Sequence, residues 1–314
     1  MACASRREML EEREERGNWD DFCRAFPDEE ACARYLLALG WPAGFPRPGC
    51  GCRTCSPVSG RPGAFQCTRC RGQLSAAAGA AMHGGGPPLR DWFRAMWMAT
   101  RDRRGVSASA LAREPCVNWR SASCVLRRLR AATGVSRACL QLVGEIEVGD
   151  AYVGAPARGR DGRGTTRARA IVGVGDGCRC ARVVDSAAKA AYAAFGRAHI
   201  PRSATVRSDA LPAIGGGLAA WPGLDARRLD ASDDRASPRA VRHVISNLKA
   251  TLVGTCRGVA ARWLRSYAGR FAWLCSHWGD GGVFRSLAWD ATMGRGVPPG
   301  EIAAVSSPFV SAAA

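Results

Sequence analysis

Glu145-Ile146-Glu147-Val148-Gly149-Asp150-Ala151-Tyr152-Val153-Gly154 is the stretch on which the fold turns. Within it Glu145–Val148 and Ala151–Val153 are short alternating runs, the signature of half-buried strands, and they begin where the texture of the chain changes after Leu140. Downstream, Ala168–Val174 and Ala181–Val184 are further strand candidates and Ala187–His199 reads as a helix. Ala204–Ser208 is another short strand, ending at Asp209. Ser237–Thr255 and Gly258–Ser276 read as helices, and the ending beyond Trp289 as irregular. Strands in a group, then a single strand, then helices make an α/β pattern.

Upstream, Leu89–Thr100 has helical periodicity with Trp92, Phe93 and Trp97 as anchors. Ser107–Glu114 and Trp119–Ala132 then read as two helices about a Pro115-Cys116-Val117-Asn118 turn. On the second, Ala122, Leu126 and Leu129 fall on one side and Arg120, Arg127 and Arg130 on the other. An apolar back and a basic front suit a helix lying in a major groove, and equally an amphipathic helix with a solvated arginine face. Pro27-Asp28-Glu29-Glu30 is a helix start, with Asp28 as N-cap and a stop at Gly40.

Between these helices the chain is dense in Gly, Pro and Cys from Trp41 to Gly63, which suits metal-organised loops better than regular structure. Two Cys-x-x-Cys pairs, Cys52/Cys55 and Cys67/Cys70, are separated by eleven residues. Four thiolates in two knuckles match a tetrahedral structural zinc in a small unit with little core. Cys50 competes with Cys52 as a ligand, and the alternative is a set of reduced thiols without metal.

The 314 residues exceed the reach of a single core, about 250 residues, so one large domain and one or two small ones are predicted. A hydrophobic fraction of 47% excludes wholesale disorder. There is no apolar run of about 18 residues, and the N-terminus is charged from Arg6 to Arg16, so the expectation is a soluble cytoplasmic chain without a membrane segment. A formal charge of +18 favours a polyanionic partner, nucleic acid first. Arginine supplies nearly all of it, Lys189 and Lys249 being the only lysines; alongside abundant Ala, Gly and Pro, that bias also fits GC-rich coding. Gly159–Thr166, flanked by Arg158, Arg160, Arg163, Arg167 and Arg169, reads as a loop that tracks a DNA backbone or as a plain hairpin tip.

A colinear series of motifs resembles one family. Phe26-Pro27-Asp28-Glu29-Glu30-Ala31-Cys32, Gly40-Trp41-Pro42-Ala43-Gly44-Phe45, Phe65–Cys70, Gln73–Ser75 and Pro88–Phe93 resemble the zinc-ribbon entry of ISXO-like, Merlin-related insertion-sequence transposases. Arg104–Ser107, Arg127–Ala131, Tyr152-Val153-Gly154, Ser208-Asp209 and His243-Val244-Ile245-Ser246-Asn247-Leu248-Lys249 continue it, with Gly254-Thr255 and Arg257–Val259, over about residues 22–276. The resemblance implies an α/β ribonuclease-H-like catalytic domain preceded by a small zinc ribbon and a helix-turn-helix. It divides the chain into a helical segment (1–40), the ribbon (41–80), the helix-turn-helix region (85–138), the catalytic domain (140–290) and an irregular tail (291–314).

The implied chemistry is phosphoryl transfer on DNA, with two aspartates and an asparagine holding two Mg²⁺ or Mn²⁺ ions about 4 Å apart. Asp209 matches the second aspartate, Asn247 the third ligand and Lys249 a phosphate contact. The family's Asp-Glu-x-Tyr run reads Gly149-Asp150-Ala151-Tyr152 here, so Gly149 stands at the first aspartate. A bulge at Gly149 would bring Asp150 into place; otherwise Glu147, two residues back on the same strand face, is the substitute. The ribbon has lost a ligand too, Arg47-Pro48-Gly49-Cys50 standing for Cys-Pro-x-Cys, and Gly269-Arg270-Phe271 replaces an acidic residue of the last helix. Arg120, Arg127, Arg130, Arg158, Arg160 and Arg163 are the candidate contacts to double-stranded DNA, at element ends and target, by a homo-oligomer at the nucleoid. The departures also admit a catalytically inactive DNA-binding remnant.

Overall fold

The computed structural model describes residues 18–40, 50–84, 86–113, 118–138, 141–154, 168–209, 211–227, 239–256, 259–278 and 282–293, with the side chains of 135–138, 226 and 227 left aside. These fall into two compact units: the described residues of Met1–Thr133 and Asp280–Ile302 form one, those of Gly134–Gly279 the other.

In the first unit, α1 (Trp19–Ala25) starts at a capping box: Asn18 Oδ1 accepts from the Asp20 and Asp21 amides and Asp21 Oδ2 from the Asn18 amide. Helix α2 (Glu29–Gly40) begins where Asp28 Oδ1 accepts from the Ala31 amide at 2.8 Å, as the sequence predicts. Strands β1 (Cys55–Pro57), β2 (Ala64–Cys67) and β3 (Gln73–Ser75) form a small antiparallel sheet, of which β1 alone falls in the stretch up to Gly63 where irregular loops were expected. Helix α3 (Leu89–Thr100) is capped from 60 residues away, its Leu89 and Arg90 amides donating to the two Glu29 carboxylate oxygens at 2.7 Å. The short α4 (Ala108–Leu111) and the long α5 (Trp119–Ala138) follow.

In the second unit the alternating, β-branched pattern yields one unbroken strand, β4 (Ile146–Val153), rather than two runs. It is joined by β5 (Ala168–Val174), β6 (Arg179–Val184), α6 (Lys189–His199), β7 (Thr205–Asp209), α7 (Pro212–Gly217) and β8 (Gly223–Arg227). Helix α8 (Arg239–Ala250) runs into a π-helical turn at Thr251–Thr255, and α9 (Ala261–His277) follows. The sheet order is β6-β5-β4-β7-β8, with β6, β5 and β4 antiparallel and β4, β7 and β8 parallel. One face packs Val153, Val172 and Val183 against Val241, Val244 and Leu248 of α8 and Leu264 and Phe271 of α9. The other packs Ile146, Val148 and Ile171 against Tyr192 and Phe195 of α6, Ile214 of α7 and Trp221. A sheet with helices on both faces is the layered α/β arrangement the pattern predicts. Helix α6 comes close because Gly196 has no side chain; a Cβ there would lie 2.5 Å from Trp221 Cη2.

The final helix, α10 (Val283–Met293), departs from the sequence reading, which ended the catalytic domain at 290 with an irregular ending beyond Trp289. It belongs to the first unit, where Phe284 joins an aromatic cluster with Phe22, Phe26, Tyr35 and Phe93. Among the described residues no helix is long and apolar enough to cross a membrane.

Candidate functional site

The ribbon sheet pairs Cys55 with Cys67 across β1 and β2. After β2 the chain closes a tight turn in which the Cys67 amide donates to Gly72 O and the Arg71 amide to Cys67 O, with Arg71 at φ 58°. That turn carries Cys70 back toward Cys67. Cys50 Sγ lies 3.7 Å from Cys67 Sγ, and the thiols of Cys50, Cys67 and Cys70 all fall within 4.8 Å of one another. Tetrahedral zinc with Zn–S bonds of about 2.3 Å sets its sulfurs about 3.8 Å apart, so this soft, three-thiol donor set fits zinc. The tight group thus contains Cys50, which the sequence reading treated as a competitor, rather than the Cys52/Cys55 pair.

Cys52 and Cys55 flank the group. The Cys52 thiol sits 3.2 Å from Thr54 Oγ1 and 3.6 Å from Thr68 Oγ1. Thr54, through side chain and backbone, and then Thr68 bring its pKa down to about 6, so it is poised as a thiolate. Burial pushes the Cys55 thiol up instead. For Cys50, the amide of Cys52 pulls down while the Cys70 and Cys67 thiols push up, and the net direction is up.

Helix α5 does not present the basic front that its periodicity predicts. Arg120 is exposed, but Arg127 is half-buried with Nε donating to Ser123 O, and Arg130 is buried, 8% exposed. The cause is apolar packing around most of the helix, by Ala122, Val125, Leu126, Leu129, Ala131 and Ala132. Between them Arg128 turns inward and donates to Ala81 O and His83 O. Arg158, Arg160 and Arg163 lie outside the described residues.

The second candidate centre is the carboxyl end of β4 and β7. The β4–β5 register runs without a skipped residue from Glu147↔Val174 to Val153↔Ala168, so no bulge shifts Asp150. A Cβ built at Gly149 would meet Val241 Cγ1 at 3.1 Å and Ile245 Cδ1 at 4.0 Å, so position 149 faces α8. Asp150, the next residue, faces the opposite side. There Tyr192 Oη donates to Asp150 Oδ1 at 2.8 Å, and Arg169 Nε and Nη2 both donate to Oδ2. The Asp150 side chain is 4% exposed. Burial first, then the Asp150 charge and hydrogen bond, hold the Tyr192 phenol above its ordinary range, so it remains a donor.

Glu147 lies two residues before Gly149, and Glu147 Oε2 accepts from the Val241 amide at 2.8 Å, at the first turn of α8. The β4–β7 register pairs Glu147 with Arg207 and, last, Val148 with Ser208, so Gly149 and Asp209 are the next residues along the two strands. Asp209 Oδ1 is buried without a hydrogen-bond partner. Burial raises the Asp209 pKa, the Arg242 guanidinium opposes the shift and Asp150 adds to it. Asn247 is exposed on α8 with Nδ2 3.0 Å from His243 Nε2, and Lys249 is exposed near the helix end.

The orphaned Asp209 oxygen is the kind of hard donor that Mg²⁺ or Mn²⁺ takes. The rest of the described set does not fit a two-metal centre: Asp150 is ion-paired on the far face, Glu147 is bonded to α8, and position 149 has no side chain. Sequence reasoning missed Tyr192 and Arg242, which carry no motif; only the sheet and its helices bring them to Asp150 and Asp209. Arg169, counted among the loop arginines, turns out to be Asp150's ion-pair partner.

Two family models match the chain. Residues 27–73 match a transposase zinc-ribbon domain and residues 141–275 an ISXO2-like transposase domain. No curated protein and no solved structure matches it. With its ribbon thiols gathered in one model's span and its five-stranded sheet in the other's, the chain belongs to the IS1595 family of insertion-sequence transposases.

Proposed function

We propose that this chain is the transposase of an insertion sequence, which binds double-stranded DNA at the element ends as a homo-oligomer and acts there through a ribonuclease-H-like domain. The observation that carries the reading is Asp209, at the carboxyl end of β7 and beside the central strand of a sheet ordered β6-β5-β4-β7-β8, with Oδ1 buried and unpartnered. Three antiparallel strands followed by two parallel ones support the ribonuclease-H-like assignment. Asn247 and Lys249 on α8 are the accompanying polar and cationic groups, Arg120 is the exposed arginine of a helix-turn-helix formed by α4 and α5, and zinc holds the ribbon. The formal charge of +18 supports a nucleic-acid partner and a place at the nucleoid.

The test is strand cleavage of DNA taken from the flanks of the gene, with Mg²⁺ or Mn²⁺, comparing wild type with Asp209→Ala and Asn247→Ala. Metal-dependent cleavage abolished by Asp209→Ala supports the reading; an absence of both cleavage and salt-sensitive binding of that DNA refutes it. One observation favours a second reading, in which the chain binds element ends without cutting them: Asp150, the carboxylate next to position 149 in the chain, is sequestered by Arg169 and Tyr192.

A further inference from the structure

We infer that Cys55 and Cys67 are a peroxide-sensitive pair, whose closure to a disulfide takes a thiolate from the zinc of the ribbon and releases the metal. Tetrahedral zinc takes four sulfurs, and this ribbon holds five cysteines: Cys50, Cys52, Cys55, Cys67 and Cys70. Cys50, Cys67 and Cys70 lie within 4.8 Å of one another, and the Cys52 thiol hydrogen-bonds to Cys67 as well as to Thr54 and Thr68. Cys55 is left as the surplus thiol. The inference rests on the zinc-held ribbon of the reading above, and on the strand register for the pair.

Cys55 and Cys67 are partners in the β1–β2 register, and residues directly opposite one another send their side chains to the same face. The Thr68 amide donates to Thr54 O at 3.2 Å and the Val58 amide to Ala64 O at 3.0 Å. Hydrogen-bonded and non-hydrogen-bonded pairs alternate along an antiparallel ladder, so Cys55 and Cys67 form a non-hydrogen-bonded pair. Pro57, with no N–H to give, takes the next such place opposite Phe65. A pair of this kind brings its Cα atoms to about 4.5 Å, inside the span of about 4.4–6.8 Å that a disulfide bridges.

Closure needs an oxidant, and a peroxide supplies it in balance. Cys55 is half-buried and Cys67 is 2% exposed, so peroxide meets Cys55 first. The O–O bond breaks; one oxygen joins the Cys55 sulfur as a sulfenic acid and the other leaves as water. The Cys67 sulfur then attacks the Cys55 sulfur, the S–S bond forms, and the S–O bond breaks with its oxygen leaving as a second water. Each sulfur gives up one electron and the peroxide takes both. The thiol hydrogens end in the water, a solvent proton replacing the one that a metal-bound Cys67 has already lost.

The experiment treats the full-length, zinc-loaded chain with hydrogen peroxide, follows zinc with a chromophoric chelator and maps the thiols by mass spectrometry. Trypsin spares the Arg61-Pro62 bond, so Cys55 and Cys67 share the peptide from Thr54 to Arg69, while Cys50, Cys52 and Cys70 fall on others. Wild type is expected to release zinc at least about tenfold faster than Cys55→Ser, the advantage of a reacting thiol held in place. The shared peptide should become lighter by the lost hydrogens and closed to alkylation, and dithiothreitol should reopen it. Before peroxide, Cys55→Ser and Cys55→Ala should hold as much zinc as wild type. Three results overturn the inference: zinc missing from both Cys55 variants before oxidation, equal release rates with and without Cys55, or a bridge from Cys67 to the peptide of Cys50 or of Cys70. A wild-type chain that binds no zinc defeats the zinc reading and the metal release with it, whereas the three results above leave zinc in the wild-type ribbon, so the two failures are told apart.

Discussion

Tyr192 donates its phenolic hydrogen to Asp150 across 2.8 Å, on the side of the sheet away from Gly149. With Arg169 on the other oxygen, Asp150 ties α6 and β5 to the central strand β4. A carboxylate so enclosed acts as a fastener for the fold. Tyr192→Phe is expected to cost about 1.5–3 kcal/mol, the range for a hydrogen bond to a charged group. Asp150→Asn should cost at least as much, because Arg169 then loses its counter-charge while only a quarter exposed. Urea unfolding of the two variants beside wild type decides it. Full stability in Asp150→Asn would show that the carboxylate is free for other work.

The ribbon makes a prediction about its fourth thiolate. Cys50, Cys67 and Cys70 are within 4.8 Å of one another, and Cys52, hydrogen-bonded to Thr54 and Thr68 and depressed to about 6, is the readiest addition. Serine at Cys50, Cys67 or Cys70 should release the zinc and unfold the ribbon, since metal binding in such units is folding free energy of about 10 kcal/mol or more. Cys52→Ser should lower zinc content more than Cys55→Ser. Zinc released to a chromophoric chelator gives the content, and the thiolate-to-metal band of the Co²⁺-substituted protein counts the sulfurs. Equal losses from Cys52→Ser and Cys55→Ser would leave the fourth ligand shared.

Arg128 shows how one inward arginine sets the character of α5. One of its terminal nitrogens donates to Ala81 O at 3.1 Å and His83 O at 2.7 Å, tying the segment after the ribbon to the middle of the helix. Arg128→Met keeps the apolar stem and removes the donor, leaving the two carbonyls without their cationic donor. The expected loss is about 1.5–3 kcal/mol in the stability of the first unit, read by urea denaturation. A change within about 0.5 kcal/mol, the size of an ordinary surface substitution, would mean the carbonyls find other donors.

Local chemistry made several elements legible in the sequence. The Asp28 cap, the Leu89–Thr100 periodicity, the alternation along β4 and the apolar run of β5 each depend on residues close in the chain. Alternation tells that Gly149 and Asp150 face opposite ways, but not whether a bulge intervenes; the unbroken ladder to β5 supplies that. Arg130 was misread because the stripe of Ala122, Leu126 and Leu129 is one of several apolar stripes on a helix packed around most of its circumference. Strand β8 and helix α7 escaped notice because Gly-Leu-Asp-Ala-Arg carries no β-branched or aromatic residue and Pro-Ala-Ile-Gly-Gly-Gly has the composition of a loop. The Glu29 cap on α3 and the packing of α10 are contacts between segments far apart in the chain, and no local pattern announces them.

Cys32 supplies a pH test of the first unit's core. It is wholly buried in α2, and burial first, with the Glu29 charge second and Arg90 opposing, pushes its thiol from an ordinary value of 9.0 up to about 12. Below pH 9 both folded and unfolded chains keep this proton, and the buried neutral thiol costs nothing. Between pH 9 and 12 the unfolded chain releases the proton and the folded chain retains it, so stability falls as pH rises through that window. The slope from this one group is at most about 1.4 kcal/mol per pH unit. Other groups titrate in the same range, so the comparison is with Cys32→Ala, whose unfolding midpoint in urea should decline less steeply from pH 9 upward. Parallel declines in the two proteins would mean that Cys32 ionises in the folded chain as easily as in the unfolded one, through an opening of α2 that exposes it.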